Sequence, residues 1–160
     1  MKYLAALLLM IFFALLETMP FFYGLGDLFP DLTLLLIVAL GLLEGSLTGG
    51  LAGILGGFLL GSFSLHLFAT RAVLFGLIGA FTGYLKEAFY LKNPLAIFLT
   101  GLGTVGLEKL FFWGVLGFPG GFFTSQFFLS LLINALSLLL IYYFLASFWS
   151  KEIYRTARRW

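Results

Sequence analysis

Cysteine is absent from the 160 residues, which excludes disulfides, thiolate metal sites and thiol nucleophiles and leaves no redox clue to compartment. Charge is nearly as scarce. Only 10% of residues are Asp, Glu, Lys or Arg, against about 25% in a soluble domain. The net charge of +2 is too small to suggest a nucleic-acid partner. There is one histidine, and no His-Glu-x-x-His, Walker sequence or paired metal-ligand spacing occurs. No cofactor, metal or catalytic residue is therefore expected, and the chain reads as a non-enzyme. What fills the sequence instead is apolar, with 62% hydrophobic residues and a mean hydropathy of +1.11. The expected class is an all-α integral membrane protein, a bundle of six transmembrane helices over residues 1–150 with a basic tail over 151–160.

Glycine is abundant and ordered. Gly45, Gly49, Gly53, Gly57 and Gly61 recur every four residues, with Gly50 and Gly56 beside them. On a helix this spacing draws a stripe of bare backbone that drifts slowly around one side. Lipid tails are as apolar as leucine, so close contact along small-residue faces largely replaces hydrophobic burial as the packing force in a bilayer. The ladder is expected to mark the central helix. A second small-residue set follows at Ala72, Gly76, Gly79, Ala80 and Gly83. Two uses are open: packing within the bundle, or reception of a partner helix along Gly49, Gly53, Gly57 and Gly61 with Gly76, Gly79 and Gly83.

In chain order, residues 3–20 follow Lys2 without a glycine or a small-x-small cleavage site, and read as an uncleaved first span. Residues 32–43 would reach roughly 18 Å as a helix, so a short span and half of a re-entrant hairpin compete. Spans are then expected over 47–67, 69–90, from Pro94 onward, and over 124–149, with the first and last peripheral. Trp113, Trp149 and Trp160 read as interfacial anchors. Even-numbered crossings put both termini on one side. Making it cytoplasmic places Lys2, Lys86, Lys92, Lys151, Arg155, Arg158 and Arg159 inside, with only Arg71 and Lys109 outside. The tail is expected to rest on anionic lipid.

The outer end then collects Glu17, Asp27, Asp31, His66, Arg71, Glu108 and Lys109. Glu108 lies about 21 Å along the fifth helix, where an acid is costly unless it faces protein or water. A ligand or proton site and a packing ion pair with Arg71 or Lys109 are the two readings. Ser62 and His66 share a helix face, but no oxyanion-hole element accompanies them, so a serine hydrolase is not supported.

The order of Phe29-Pro30-Asp31-Leu32 leading a short Leu-rich span, Glu44-Gly45 at the turn and a Gly-rich third helix resembles the MreD family of bacterial rod shape-determining membrane proteins. The likeness runs over most of the chain and is strongest from Pro30 to Tyr90. One departure is Leu60-Gly61-Ser62-Phe63-Ser64, where the glycine-rich helix of that family often ends in an acid, so a role resting on that acid does not transfer. The resemblance implies a non-enzymatic scaffold of the cell-wall elongation complex in the cytoplasmic membrane. Its implied partners are MreC and, indirectly, MreB, RodA and a class B penicillin-binding protein, besides membrane lipid, with no small-molecule substrate. The family is similar in fold to the substrate-binding subunits of energy-coupling-factor vitamin transporters, which supply the alternative. Such a subunit would use Asp31, His66, Arg71, Glu108 and Lys109 as a pocket.

Overall fold

Apolar runs become helices, and glycine or proline marks where several of them break. The computed structural model describes residues 2–19, 29–62, 68–89, 93–116 and 125–157, and among these the chain is all-helical, with no strand. The helices are α1 (Lys2–Thr18), α2 (Leu32–Glu44), α3 (Ser46–Ser62), α4 (Phe68–Phe89), α5 (Pro94–Leu116) and α6 (Ser125–Ala157). Pro94 opens α5, where a missing N–H costs nothing. Asn93 caps it, its Oδ1 accepting the Leu95 N–H at 3.0 Å and its carbonyl the Ile97 N–H at 3.2 Å.

Two helices, α5 over Pro94–Val115 and α6 over Ser125–Trp149, are long and apolar enough to cross a membrane. This suggests membrane association, where six crossings were expected. The others fall short for identifiable reasons. α2 and α3 are apolar but shorter, α1 has 17 residues, and the 22-residue α4 opens with Arg71 in its first turn and carries Lys86 in its last.

The centre of the bundle is α2, not the glycine ladder. Every residue from Thr33 to Leu42 is buried, Leu34 to Ala39 completely, and α2 touches each of the other five helices. A helix apolar all round has no face for a polar solvent and is wrapped by neighbours. Its 13 residues make only about 20 Å, so its terminal backbone groups need partners from other helices. Those partners carry charge of the favourable sign. Glu17 of α1 accepts the Thr33 N–H at 2.6 Å, and the Lys86 ammonium of α4 donates to the Leu43 carbonyl at 2.6 Å. A carboxylate at the N-terminus and a cation at the C-terminus both complement the helix dipole. Asp31, at the N-cap position, makes no side-chain cap; its N–H donates to Oδ1 of Asn134 on α6 at 2.8 Å.

α2 and α3 form an antiparallel hairpin turned at Gly45, whose φ of 103° is left-handed. α4 then packs antiparallel on α3. A Cβ at Gly49 would strike the Gly79 carbonyl, one at Gly53 the Phe75 carbonyl, and one at Gly57 would lie 2.5 Å from the Arg71 carbonyl. From the other side, Gly79 meets Gly49, Gly83 meets the Gly45–Ser46 backbone, and Gly76 meets the Ile54 side chain at 2.8 Å. Gly61 is buried in α3 as well. The two small-residue sets thus face each other, and α4 fills the face offered above to a partner helix. No helix of another protein fits there without displacing α4.

α6 is less peripheral than expected. It buries Ser130, Asn134, Ala135, Leu138, Leu145 and Trp149, and it stays helical to Ala157. Trp149 is a packed residue instead of an exposed anchor, with Lys2 Nζ 5.9 Å from its ring centroid. Trp113 is exposed, and Trp160 lies outside the described residues.

Candidate functional site

Polar side chains collect at the two ends of α2. At its C-terminal end Lys2 Nζ lies 2.9 Å from both Glu44 carboxylate oxygens, the Tyr3 hydroxyl donates to Glu44 Oε2 at 3.4 Å, and Lys86 reaches Leu43. These contacts tie α1 and α4 to the α2–α3 turn. Every side chain among them has a structural partner, so this end reads as a clamp.

The N-terminal end of α2 gathers more charge. Glu17 of α1, Asp31 before α2, Arg71 in the first turn of α4 and Lys109 of α5 lie within electrostatic reach of Glu108 of α5. Of the seven residues expected at the outer end, these five lie near one another. His66 and Asp27 lie outside the described residues. Glu108 is 8% exposed. The Arg71 guanidinium carbon sits 5.5 Å from the Phe112 ring centroid, a cation–π contact across α4 and α5. Arg71 Nε is buried without a hydrogen-bond partner.

Three uncharged residues complete this end. Asn134 is fully buried, accepts the Asp31 N–H, and donates from Nδ2 to the Ser130 carbonyl at 2.9 Å. Thr33 is fully buried, with its hydroxyl beside the Glu17 carboxylate but outside hydrogen-bond geometry. Neither Asn134 nor Ser130 was singled out from the sequence. Their signal was available: two polar residues spaced i, i+4 on a long apolar helix mark one face that meets protein.

Chemically the arrangement is a partly buried cluster of three carboxyl groups and two cations, of which Glu108 alone is fully in the interior. Part of it is structural, since Glu17 and Asn134 hold the start of α2. Arg71, Glu108 and Lys109 are not needed for that task. Among the described residues no group of three or more His, Asp or Glu side chains is arranged to hold a metal ion. Compared with protein-family models, with curated proteins and with solved structures, the chain finds no match.

Proposed function

We propose that the chain is a membrane-embedded scaffold subunit of the bacterial cell-wall elongation machinery, of the kind its resemblance to MreD implies, and that it receives the membrane helix of MreC. In this reading all six helices lie in the bilayer, both termini are cytoplasmic, and the short α2 is tolerated because protein surrounds it and caps both its ends. Large apolar side chains exposed on α1, α3, α4, α5 and α6 support immersion in lipid.

The observation that carries the scaffold reading is a second small-residue face that the described residues leave unfilled. On α5 a Cβ at Gly103 or Gly114 would meet nothing within 4 Å, and one at Gly106 only the tip of Leu131 at 3.9 Å. Leu99, Gly103, Gly106, Leu110 and Gly114 fall on one side of that helix by their spacing. Bare backbone turned to lipid forgoes packing that a neighbouring helix supplies. The receiver is thus assigned to α5, since α4 already fills the α3 ladder.

The test is co-purification of MreC with the tagged full-length chain in mild detergent. Gly103→Leu with Gly106→Leu should cut the recovered MreC sharply while the variant's melting temperature stays near that of the parent. Undiminished recovery from the folded variant would sink the α5 receiver, and a stoichiometric vitamin in its place would support the transporter-subunit reading.

A further inference from the structure

Four helices carry two layers of polar side chains at a common spacing. The inner layer is level by contact: Lys2 Nζ lies 2.9 Å from the Glu44 carboxylate and 5.9 Å from the Trp149 ring centroid, and Lys86 Nζ lies 2.6 Å from the Leu43 carbonyl. The outer layer is level too, since Glu17 meets Thr33, Asp31 meets Asn134, and Arg71 and Lys109 join Asp31 within reach of Glu108. One layer is 15 residues from the other on α1 (Lys2 to Glu17), α4 (Arg71 to Lys86) and α6 (Asn134 to Trp149), and 13 residues on α2 (Asp31 to Glu44). By helical rise the layers stand only about 20–23 Å apart, against roughly 30 Å for a bilayer core.

α5 and α6 do not stop at the outer layer. α5 runs eight residues past Glu108 to Leu116, and α6 begins nine residues before Asn134 at Ser125, so the pair forms an arm reaching about 12–14 Å further. Past Lys109 the arm carries no charge, and Leu110, Phe111, Trp113, Phe128, Leu129 and Leu132 on it are exposed. The apolar belt is therefore uneven. Among the described side chains, large exposed hydrophobics run from Phe128 to Phe148 on α6, about 30 Å, but from Leu47 to Phe58 on α3 and from Val73 to Tyr84 on α4, about 17 Å each. Above the low part of the belt, Glu17, Asp31, Arg71 and Lys109 are each half-buried and half-open. Ionisable groups that open outward ask for water or headgroups, not hydrocarbon.

We infer that the chain sits in the bilayer with a stepped outer boundary: lipid of ordinary thickness lies along α5 and α6, and the outer leaflet thins beside α1 and α4 until headgroups and water reach the level of Glu17 and Arg71. A bilayer of one thickness would either bury that layer in hydrocarbon or strand the arm in water, and a membrane meets a short belt by thinning locally. The inference rests on the membrane-embedded reading, and not on the identity of the protein partner. It accounts for α5 and α6 alone having full spanning length, because the other helices match thinner lipid.

The native chain has no cysteine, so single spin labels can be placed at exposed positions of the full-length protein. Leu15→Cys on α1 and Val73→Cys on α4 put a label about 3 Å to the inner side of the outer layer, and Leu132→Cys on α6 puts one about 3 Å to its outer side. The variants are reconstituted in vesicles of phosphatidylethanolamine and phosphatidylglycerol, and depth is read by power-saturation electron paramagnetic resonance with oxygen and a water-soluble nickel chelate. A stepped boundary reverses the axial order. The Leu132 label, about 10 Å from the tip of the arm, should read about 7 Å deeper than the Leu15 and Val73 labels. Labels at Leu4 and Phe148, beside the inner layer, should read alike. Leu15 and Val73 labels as deep as the Leu132 label, or deeper, would overturn the step. A Leu132 label open to nickel above shielded Leu15 and Val73 labels would overturn it too, and would make the arm a protein-docking surface in water. A depth difference of the same size between Leu4 and Phe148 would mean a tilted bundle in flat lipid, which also overturns it. Nickel access at every position would show that the chain does not insert, and the membrane reading would fall with the inference.

Discussion

Replacing Gly53 by alanine tests the fold at its tightest seam. The added Cβ would run into the Phe75 carbonyl and lie 2.7 Å from the Gly76 Cα. Both obstacles are backbone, so no rotamer change relieves them. Restoring ordinary carbon contacts of about 3.5–4.0 Å moves α3 and α4 apart by about 1 Å, which forfeits a quarter to a half of each contact along the seam. Overpacking of this kind costs about 1–3 kcal/mol, partly offset by the roughly 1 kcal/mol that alanine gains over glycine in a helix. Gly50→Ala is the internal control, because its Cβ would sit 3.4 Å from the Ala80 Cβ and otherwise in open contact. Each variant adds one methyl to the same helix and shares the same propensity gain, so their difference reports the clash. Unfolding in mixed micelles, followed by circular dichroism, should place Gly53→Ala about 1–3 kcal/mol below Gly50→Ala. Equal stability would refute the backbone contact between α3 and α4.

The charged caps of α2 make two further expectations. Lys86→Met removes the ammonium from the Leu43 carbonyl, 2.6 Å away, and should cost about 1.5–3 kcal/mol in the same unfolding assay, with Lys86→Arg recovering most of it. Glu17→Gln keeps an acceptor for the Thr33 N–H whereas Glu17→Leu strands it, so the leucine variant should be the less stable by about 1–3 kcal/mol. The reverse order would mean that the Thr33 N–H needs no acceptor from position 17.

Helix positions were legible because composition changes abruptly at their ends: Glu44-Gly45-Ser46 separates α2 from α3, and Asn93-Pro94 starts α5. The pairing of helices was half legible. Ala72, Gly76, Gly79 and Gly83, at intervals of three and four, line one helix face as Gly49, Gly53 and Gly57 do, and two bare stripes in successive helices find each other most cheaply as an antiparallel pair. The central helix was misjudged because shortness was weighed above pattern. Thr33 to Leu42 contains no charged residue on any side, which is the mark of a helix surrounded by others. At the site, the gathering of Asp31, Arg71, Glu108 and Lys109 followed from counting helix ends. The capping role of Glu17 did not, because it depends on where α1 meets α2 in space, a contact between residues 16 positions apart with no local signature.

Gly45 and Gly83 meet at the point where the chain reverses, and their requirements are joined. Gly45 holds φ 103° and ψ −176°, a region nearly closed to other residues, where an L side chain costs about 1–3 kcal/mol. Its N–H donates to the Gly41 carbonyl at 2.9 Å and its own carbonyl accepts the Gly49 N–H at 3.0 Å, so the turn is tied to the helices on both sides. A Cβ at Gly83 would strike the Gly45 carbonyl carbon and the Ser46 nitrogen, which means that α4 closes over this turn with only bare backbone between. Gly45→Ala relaxes by moving the turn, and Gly83→Ala is accommodated by the same movement away from α4. Once either substitution has forced that displacement, the second costs less. The double variant should therefore be more stable than the sum of the single losses predicts, by an interaction of about 0.5–3 kcal/mol. Strict additivity would show that the turn and α4 respond independently, and would break the link between the hairpin that makes α2 central and the glycine seam that holds α4 in place.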